Sequence, residues 1–305
     1  MSNNPFNSDF ELDKCAFCKL DRELRESHII PKSFGKWVKK TSATGFLRNA
    51  ENPNLRRQDV WKTKLLCDEC EQRFGVYEKK FMEKIFRPYH KSADQVLEYD
   101  IWLPKFIASI NWRILKCYQL AGALNNYPRG LRILIPKALS KWHDFIVGEI
   151  TSPDGFELHL LPVDLLESHT FHDLPSNFNR YMARGFGTDI VYSSKAGFIY
   201  TKLAKFMLFG FISRGDQDWK GTKVTLGKGK IKPKTKYELP GGFGNYLIER
   251  SQKVQDISSS YSETQREKIN QFIKDNPEKV TNTEMFKAFQ QDLQMFGDRA
   301  FLEEE

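Results

Sequence analysis

Two C-x-x-C pairs, Cys15-Ala16-Phe17-Cys18 and Cys67-Asp68-Glu69-Cys70, constrain this chain more than any other feature. They hold four of its five cysteines and are separated by 48 residues. A tight turn brings the two sulfurs of each pair together. Two such pairs supply four thiolates, the complete tetrahedral shell of a structural zinc at about 2.3 Å per bond. In a reducing compartment this pattern reads as a metal framework rather than as disulfides. Cys15, Cys18, Cys67 and Cys70 are therefore assigned to one structural Zn²⁺. Such a shell leaves no coordination position for water or substrate, so any chemistry has to come from other residues. The fifth, Cys117, falls within an apolar helical pattern and reads as a buried, inert thiol.

The 305 residues suffice for one large domain or two ordinary ones. Apolar residues make up 40%, with 24 Phe, so a sizeable core is expected, and 28% charged residues are ordinary for a globular protein. The net charge of +8 and the isoelectric point near 9.1 favour an anionic partner. The N-terminal MSNNPFNSDFELDK has no apolar core of a signal peptide. The most apolar run, Leu203 to Ile212, is too short to cross a bilayer and contains Lys205. A soluble, cytoplasmic protein with no membrane contact is the expectation.

Hydrophobic periodicity predicts a helix opening at the second cysteine pair, with Phe74, Tyr77, Phe81 and Ile85 on one face and Pro88 as its stop. A second helix is expected from Pro104 to about Ala123, with Phe106, Ile110, Arg113/Ile114 and Cys117 on one face, and a third over residues 136–147, opening at Pro136 and running through Leu139, Trp142 and Ile146. From about residue 155 the pattern turns to strands: Phe156–Leu161, Arg184–Tyr192 and Gly197–Ile212, with Gly and Asp-Gly punctuation between them. Ser260-x-x-Glu263 and Thr281-x-x-Glu284 read as capping boxes, the second leading an apolar stripe of Met285, Phe289, Leu293 and Phe296. The fold class is mixed α+β. A small zinc-framed module over residues 1–90 is expected to lead a larger mixed domain over 91–305.

Between the cysteine pairs stands Glu26-Ser27-His28-Ile29-Ile30-Pro31. A His followed by Ile-Ile-Pro, ahead of a C-x-x-C that opens a helix, resembles the HNH (ββα-metal) endonucleases, many of which frame their site with a four-cysteine, treble-clef-like zinc. The resemblance covers about residues 15–80. It implies a nuclease that hydrolyses phosphodiester bonds in DNA or RNA, in a setting such as bacterial or phage defence. His28 matches the general base that activates water. Glu71, directly after Cys70, matches a metal ligand at the start of the helix, where a carboxylate suits Mg²⁺ or Mn²⁺. Two positions depart from the family pattern. Ser27 precedes the His where the family usually carries Asp or His, and the stretch Trp61 to Leu66 lacks the family's middle Asn, with Asn49, Asn52 and Asn54 further upstream. These departures keep open a second possibility, a catalytically degenerate zinc-scaffold module that binds nucleic acid or protein. Glu71 likewise reads either as a ligand or as a carboxylate favoured by a helix N-terminus, and Glu78, two turns on, as a solvated charge.

Lys32 to Lys64 carries nine Lys and Arg against Glu51 and Asp59. Lys32, Lys36, Lys39, Lys40, Arg56 and Arg57 are candidates for phosphate contacts around His28, which supply affinity without reading sequence. A solvated loop is the alternative. Arg214 to Lys236, with alternating Lys228, Lys230, Lys232, Lys234 and Lys236, reads either as a basic strip or as a lysine-protected edge strand. His143, His159, His169 and His172 form no constellation, and Gly241-Gly242-Phe243-Gly244 reads as a turn rather than a dinucleotide loop. No Gly-x-Ser-x-Gly elbow is present. The expected partners are nucleic acid, DNA foremost, and a protein docking on residues 100–305.

Overall fold

The computed structural model of the chain describes residue 5 and residues 11–48, 52–194, 196–216, 218–233 and 235–301. Asn49, Glu51 and Lys234 lie outside the described residues. The fold is mixed α+β, and no described helix is long and apolar enough to cross a membrane.

The N-terminal part is built on a two-stranded antiparallel ladder of β1 (Leu24–His28) and, later in the chain, β4 (Lys62–Cys67), between which lie α1 (Lys32–Lys40), β2 (Leu47–Arg48) and β3 (Arg56–Arg57). The ladder pairs His28 with Lys62, Ser27 with Thr63 and Leu24 with Cys67, with an irregularity between Arg25 and Glu26. Pro31 ends the strand and caps α1, because its fixed φ suits the residue before a helix and it has no N–H for a ladder. Ile29 and Ile30 are fully buried and pin this turn.

From β4 the chain passes directly into α2 (Asp68–Phe81), with Cys67 as its N-cap and Asp68, Glu69 and Glu71 in the first turn, where the helix dipole favours acids. Pro88 does not stop this helix. One π-helical turn, Met82–Phe86, leads into α3 (Arg87–Lys91), and Pro88 sits in the first turn of α3, where its missing N–H costs no hydrogen bond.

After β5 (Leu97–Tyr99) comes α4 (Trp102–Leu120), buried nearly all round, then α5 (Arg129–Val147). α5 starts seven residues before the expected opening at Pro136, on Pro128, and carries Pro136 in its interior. Both helices pack on a four-stranded antiparallel sheet in the order β6–β9–β8–β7, built from β6 (Leu158–Pro162), β7 (Phe186–Tyr192), β8 (Gly197–Leu203) and β9 (Phe206–Ser213). The Gly197–Ile212 run is thus a hairpin, turned at Ala204 with positive φ. α4 approaches β9 so closely that a Cβ on Gly210 would lie 2.5 Å from the Asn111 side chain. Arg184, expected to open a strand, instead ends the short helix α6 (Phe178–Arg184), and β7 starts two residues later at Phe186.

β10 (Gly229–Ile231) pairs with β5, so the lysine run holds a strand of only three residues, with Lys230 ion-paired to Glu98. The far face of the sheet is covered by α7 (Gly241–Ser259) and α10 (Glu284–Phe296), with α8 (Glu263–Asp275) and α9 (Pro277–Thr281) between them. Gly241–Gly244 opens α7 instead of forming a turn. The two caps fall two residues later than the capping boxes: Ser262 accepts from the Gln265 N–H and Thr283 from the Phe286 N–H. Accordingly the buried face of α10 is Ala288, Asp292 and Phe296, and Met285 is exposed.

The larger core runs unbroken from Cys15 through α2, α4, α5 and the near face of the sheet to Ile231. A second core, with Phe198, Tyr200, Phe209 and Phe243, fills the far face. Apolar cover on both faces explains why β8 and β9 read as continuous apolar runs instead of alternating.

Candidate metal centre and active site

The four cysteines converge. Their sulfurs all lie within 4.8 Å of one another, and the Sγ atoms of Cys18 and Cys67 are 3.7 Å apart. A tetrahedral site with bonds of about 2.3 Å requires sulfurs about 3.8 Å apart, so the cluster already has the dimensions of a metal shell. Cys15, Cys67 and Cys70 are buried, Cys18 partly so, and none forms a disulfide. The Cys15 sulfur accepts the Cys67 N–H at 3.3 Å. A hydrogen bond from Cys70, followed by that amide, pulls the Cys15 thiol well down against the effect of burial, and Cys70 holds its own proton correspondingly tightly. Four cysteines so placed can bind a metal such as zinc. Phe17, inside the first pair, packs edge-to-face on Phe74 of α2 and Trp112 of α4 at 4.9 and 5.0 Å, tying the first cysteine loop to the core. Cys117 is fully buried and its thiol is pushed up to about 12 by desolvation, as an inert core cysteine should be.

His28 stands at the end of β1, where the paired ladder stops. Its Nε2 lies 2.9 Å from Asp59 Oδ2, while Asp59 Oδ1 accepts the Val60 N–H at 2.9 Å. Asp59 is thus fixed by its own neighbour and in turn fixes the imidazole. Burial pushes the Asp59 carboxyl up, but the hydrogen bonds from His28 and Val60 outweigh it and hold the group below its ordinary value. With the Nε2 proton donated to Asp59, Nδ1 carries the lone pair that a base needs. The backbone of His28 is clamped as well. Its carbonyl accepts from Arg113 Nη1 at 2.6 Å, and Arg113 Nη2 donates to Glu78 Oε1, also at 2.6 Å. Arg113, on α4, is 1% exposed and lies over the Phe74 ring. Glu78 is therefore the partner of a buried guanidinium and not the solvated charge expected from the sequence.

Glu71 lies in the first turn of α2, beside Ser27. Burial pushes its carboxyl up, offset in part by the Ser27 hydroxyl and by the Arg113 and His28 charges. Its Oε1 is buried with no hydrogen-bond partner, an orphaned anionic oxygen of the kind that a ligand or ion normally satisfies. The Ser27 hydroxyl is fully buried and accepts the Leu66 N–H at 3.0 Å. Among the described residues no second group of three His, Cys, Asp or Glu side chains brings its ligand atoms together as the cysteines do.

Searches of family models, of curated proteins and of solved structures return no match to this chain.

The basic residues singled out in the sequence lie on α1 and β3. Lys32, Lys36 and Lys40 are exposed on α1, and Lys39 donates to the Gln58 carbonyl at 2.7 Å, bracing the loop that ends in Asp59. Lys32 lies near enough to help hold Asp59 ionised. Arg56 stacks over Phe46 at 4.1 Å. Arg57 lines a cleft of about 1350 Å³ that Asp59 also lines. Of the other histidines, His159 is buried between Thr222 and Glu157 and His90 pairs with Glu284, both structural roles.

Sequence reasoning missed Asp59, Arg113 and Glu78 as parts of this site. Asp59 was one of two acids in a basic stretch, and Arg113 a single charge within an apolar helical stripe. Those two anomalies were the signals available.

Proposed function

We propose that the chain is a nuclease of the HNH type that hydrolyses phosphodiester bonds in DNA or RNA, with His28 as general base. The observation that carries this is the His28–Asp59 pair: an imidazole at a strand end, held by a part-buried carboxylate at 2.9 Å, on the same ladder whose other end carries Cys67 of the four-cysteine cluster. Nδ1 of His28 takes a proton from water as the water oxygen attacks phosphorus; the bond from phosphorus to the leaving oxygen breaks, and that oxygen takes a proton from solvent. Asp59 keeps the imidazole in the tautomer that can accept and stabilises the cation once it forms. Arg113 acts through the His28 carbonyl as a positioning residue.

The cysteine cluster fits structural Zn²⁺, which would lock the first cysteine loop to β4 and α2. Glu71, with its orphaned Oε1, fits the single carboxylate with which Mg²⁺ or Mn²⁺ commonly binds beside substrate phosphate and water. Such an ion, when bound, supplies charge neutralisation at the scissile phosphate. Supercoiled plasmid incubated with Mg²⁺ or Mn²⁺ tests the proposal: nicking that requires the ion and is lost in His28→Ala supports it, and a folded, inactive wild type argues against it.

One observation favours a second reading, the degenerate module. The Ser27 hydroxyl, at the position before the base, is already engaged by the Leu66 N–H, leaving Glu71 as the one acidic ligand there. That reading expects nucleic-acid binding that is unaffected by His28→Ala.

A further inference from the structure

The cleft that Asp59 lines is walled on one side by residues 42–48 and 53–61 and on the other by α6, β7 and α7, so the C-terminal part of the chain supplies half of it. Its walls carry an excess of positive charge. Arg180 and Arg250 are matched by Asp292 and Asp189, but Arg48, Arg57, Arg184, Lys202 and Lys253 have no carboxylate at ion-pair distance among the described residues. Two of these groups are buried and held by the protein itself. Arg184 donates to the Val38 carbonyl and to Thr41 with the Glu284 charge nearby, and Lys202, pulled down to about 7 by burial, donates to the Met182 and Ala204 carbonyls. The charge left open to a ligand is therefore that of Arg48, Arg57 and Lys253.

Aromatic rings stand among these cations. Tyr192 is half exposed, Tyr261 lies under the Arg48 guanidinium, and both line the cleft. Bases stack on such rings in single strands, whereas in a duplex their faces are already covered by one another. Size points the same way. The cleft exceeds the roughly 300–1,000 Å³ of sites for drug-sized ligands, so it has room for more than one nucleotide. Yet 1350 Å³ equals a cube about 11 Å on a side, less than the roughly 12 Å width of a duplex's major groove alone.

We infer that this cleft seats a short run of single-stranded nucleic acid, with phosphates on Arg48, Arg57 and Lys253 and bases against Tyr192 and Tyr261, and delivers it to His28 past Asp59. The inference rests on the nuclease reading for its direction toward His28, but the binding itself is separable. It also gives the C-terminal part a task, the selection of unpaired strands.

The test is fluorescence anisotropy with labelled oligonucleotides of about 12 nucleotides, in the His28→Ala chain so that nothing is cut. Single-stranded DNA, single-stranded RNA and the matching duplex are compared. Arg57→Glu/Lys253→Glu, a charge change at the cleft rim, is set against Lys137→Glu/Lys274→Glu, the same change on exposed positions outside the cleft. The expected result is single-strand binding at least tenfold tighter than duplex binding, weakened at least tenfold by the rim pair and not by the control pair. The slope of log affinity against log salt should also fall by about 1.4 in the rim pair, two contacts at roughly 0.7 each. The two single-strand arms show whether DNA or RNA is preferred. Equal or tighter duplex binding, competition by a mononucleotide at the oligonucleotide's own concentration, or indifference to the rim pair overturns the inference. Wild-type plasmid nicking is scored separately. Cleft binding without any nicking removes the nuclease reading and leaves the cleft standing; nicking with unaltered binding by the rim pair does the reverse.

Discussion

At the scale of single residues, the site depends on groups that hold His28 from two directions. Asp59 grips the ring and Arg113 grips the carbonyl, and Arg113 is itself neutralised by Glu78. Removing one member of a buried pair strands the other, which typically costs about 3–5 kcal/mol. Arg113→Met is therefore expected to lower unfolding free energy by roughly that amount in a denaturant titration, and Arg113→Met/Glu78→Met to recover much of it because no carboxylate is left behind. A single variant costing less than about 1 kcal/mol would show that the pair is not buried as described. The cysteine cluster was legible in the sequence because metal binding depends on short spacing, two residues within a pair; His28 was singled out by resemblance, and the structure places it at the end of β1. Asp59 was not legible. It lies 31 residues from His28 with no periodic relation to it, and only the path of the loop through Gln58 and Lys39 brings the two together.

At the scale of elements, the β1–β4 ladder and α2 bring together what the sequence keeps apart. Leu24 is opposite Cys67 and His28 opposite Lys62, so a one-residue slip would turn Ser27 and Cys67 away from the site together. α2, α4 and α5 were legible from apolar spacing, whereas α1, in a stretch read as basic loop, was not. The starts of α8 and α10 were legible only to within two residues, because Ser260, Ser262, Thr281 and Thr283 all offer capping oxygens and packing decides between them. The sheet hides a further device. His159 on β6 is 1% exposed and desolvation holds its imidazole down at about 4, although Glu157 beside it acts in the opposite direction. Its folded-state value is below the unfolded one of about 6.5, so between these values the unfolded chain binds more protons and stability falls as pH drops from about 6.5 to about 4. Roughly 3 kcal/mol is the ceiling for this group. His159→Gln should flatten that part of the stability–pH curve, measured by denaturant unfolding at a series of pH values. An unchanged curve would assign the acid sensitivity to other groups.

At the scale of the whole molecule, the cysteine cluster and the C-terminal sheet share one continuous core. A metal held by the cysteines should therefore stabilise the entire chain. Chelation, or Cys70→Ser, is expected to cost at least several kcal/mol and to lower the melting temperature by roughly 10 °C or more, in one transition seen alike by tryptophan fluorescence and by far-ultraviolet circular dichroism. Two separated transitions would mean that residues 15–90 unfold apart from the rest. The mixed α+β class was legible from the change of period near residue 155. The cleft was not, since its walls come from residues more than a hundred positions apart, brought together only when α6 and α7 pack beside residues 42–48 and 53–61. Plasmid nicking with Mg²⁺ or Mn²⁺ by wild type, His28→Ala and Asp59→Asn, each confirmed folded, tests whether His28, oriented by Asp59, performs the proposed hydrolysis. The expected result is metal-dependent nicking by wild type, a loss of about 10²–10⁴ in His28→Ala and a loss of at least about tenfold in Asp59→Asn. Nicking retained in His28→Ala, or a folded wild type inactive with either ion, would contradict it.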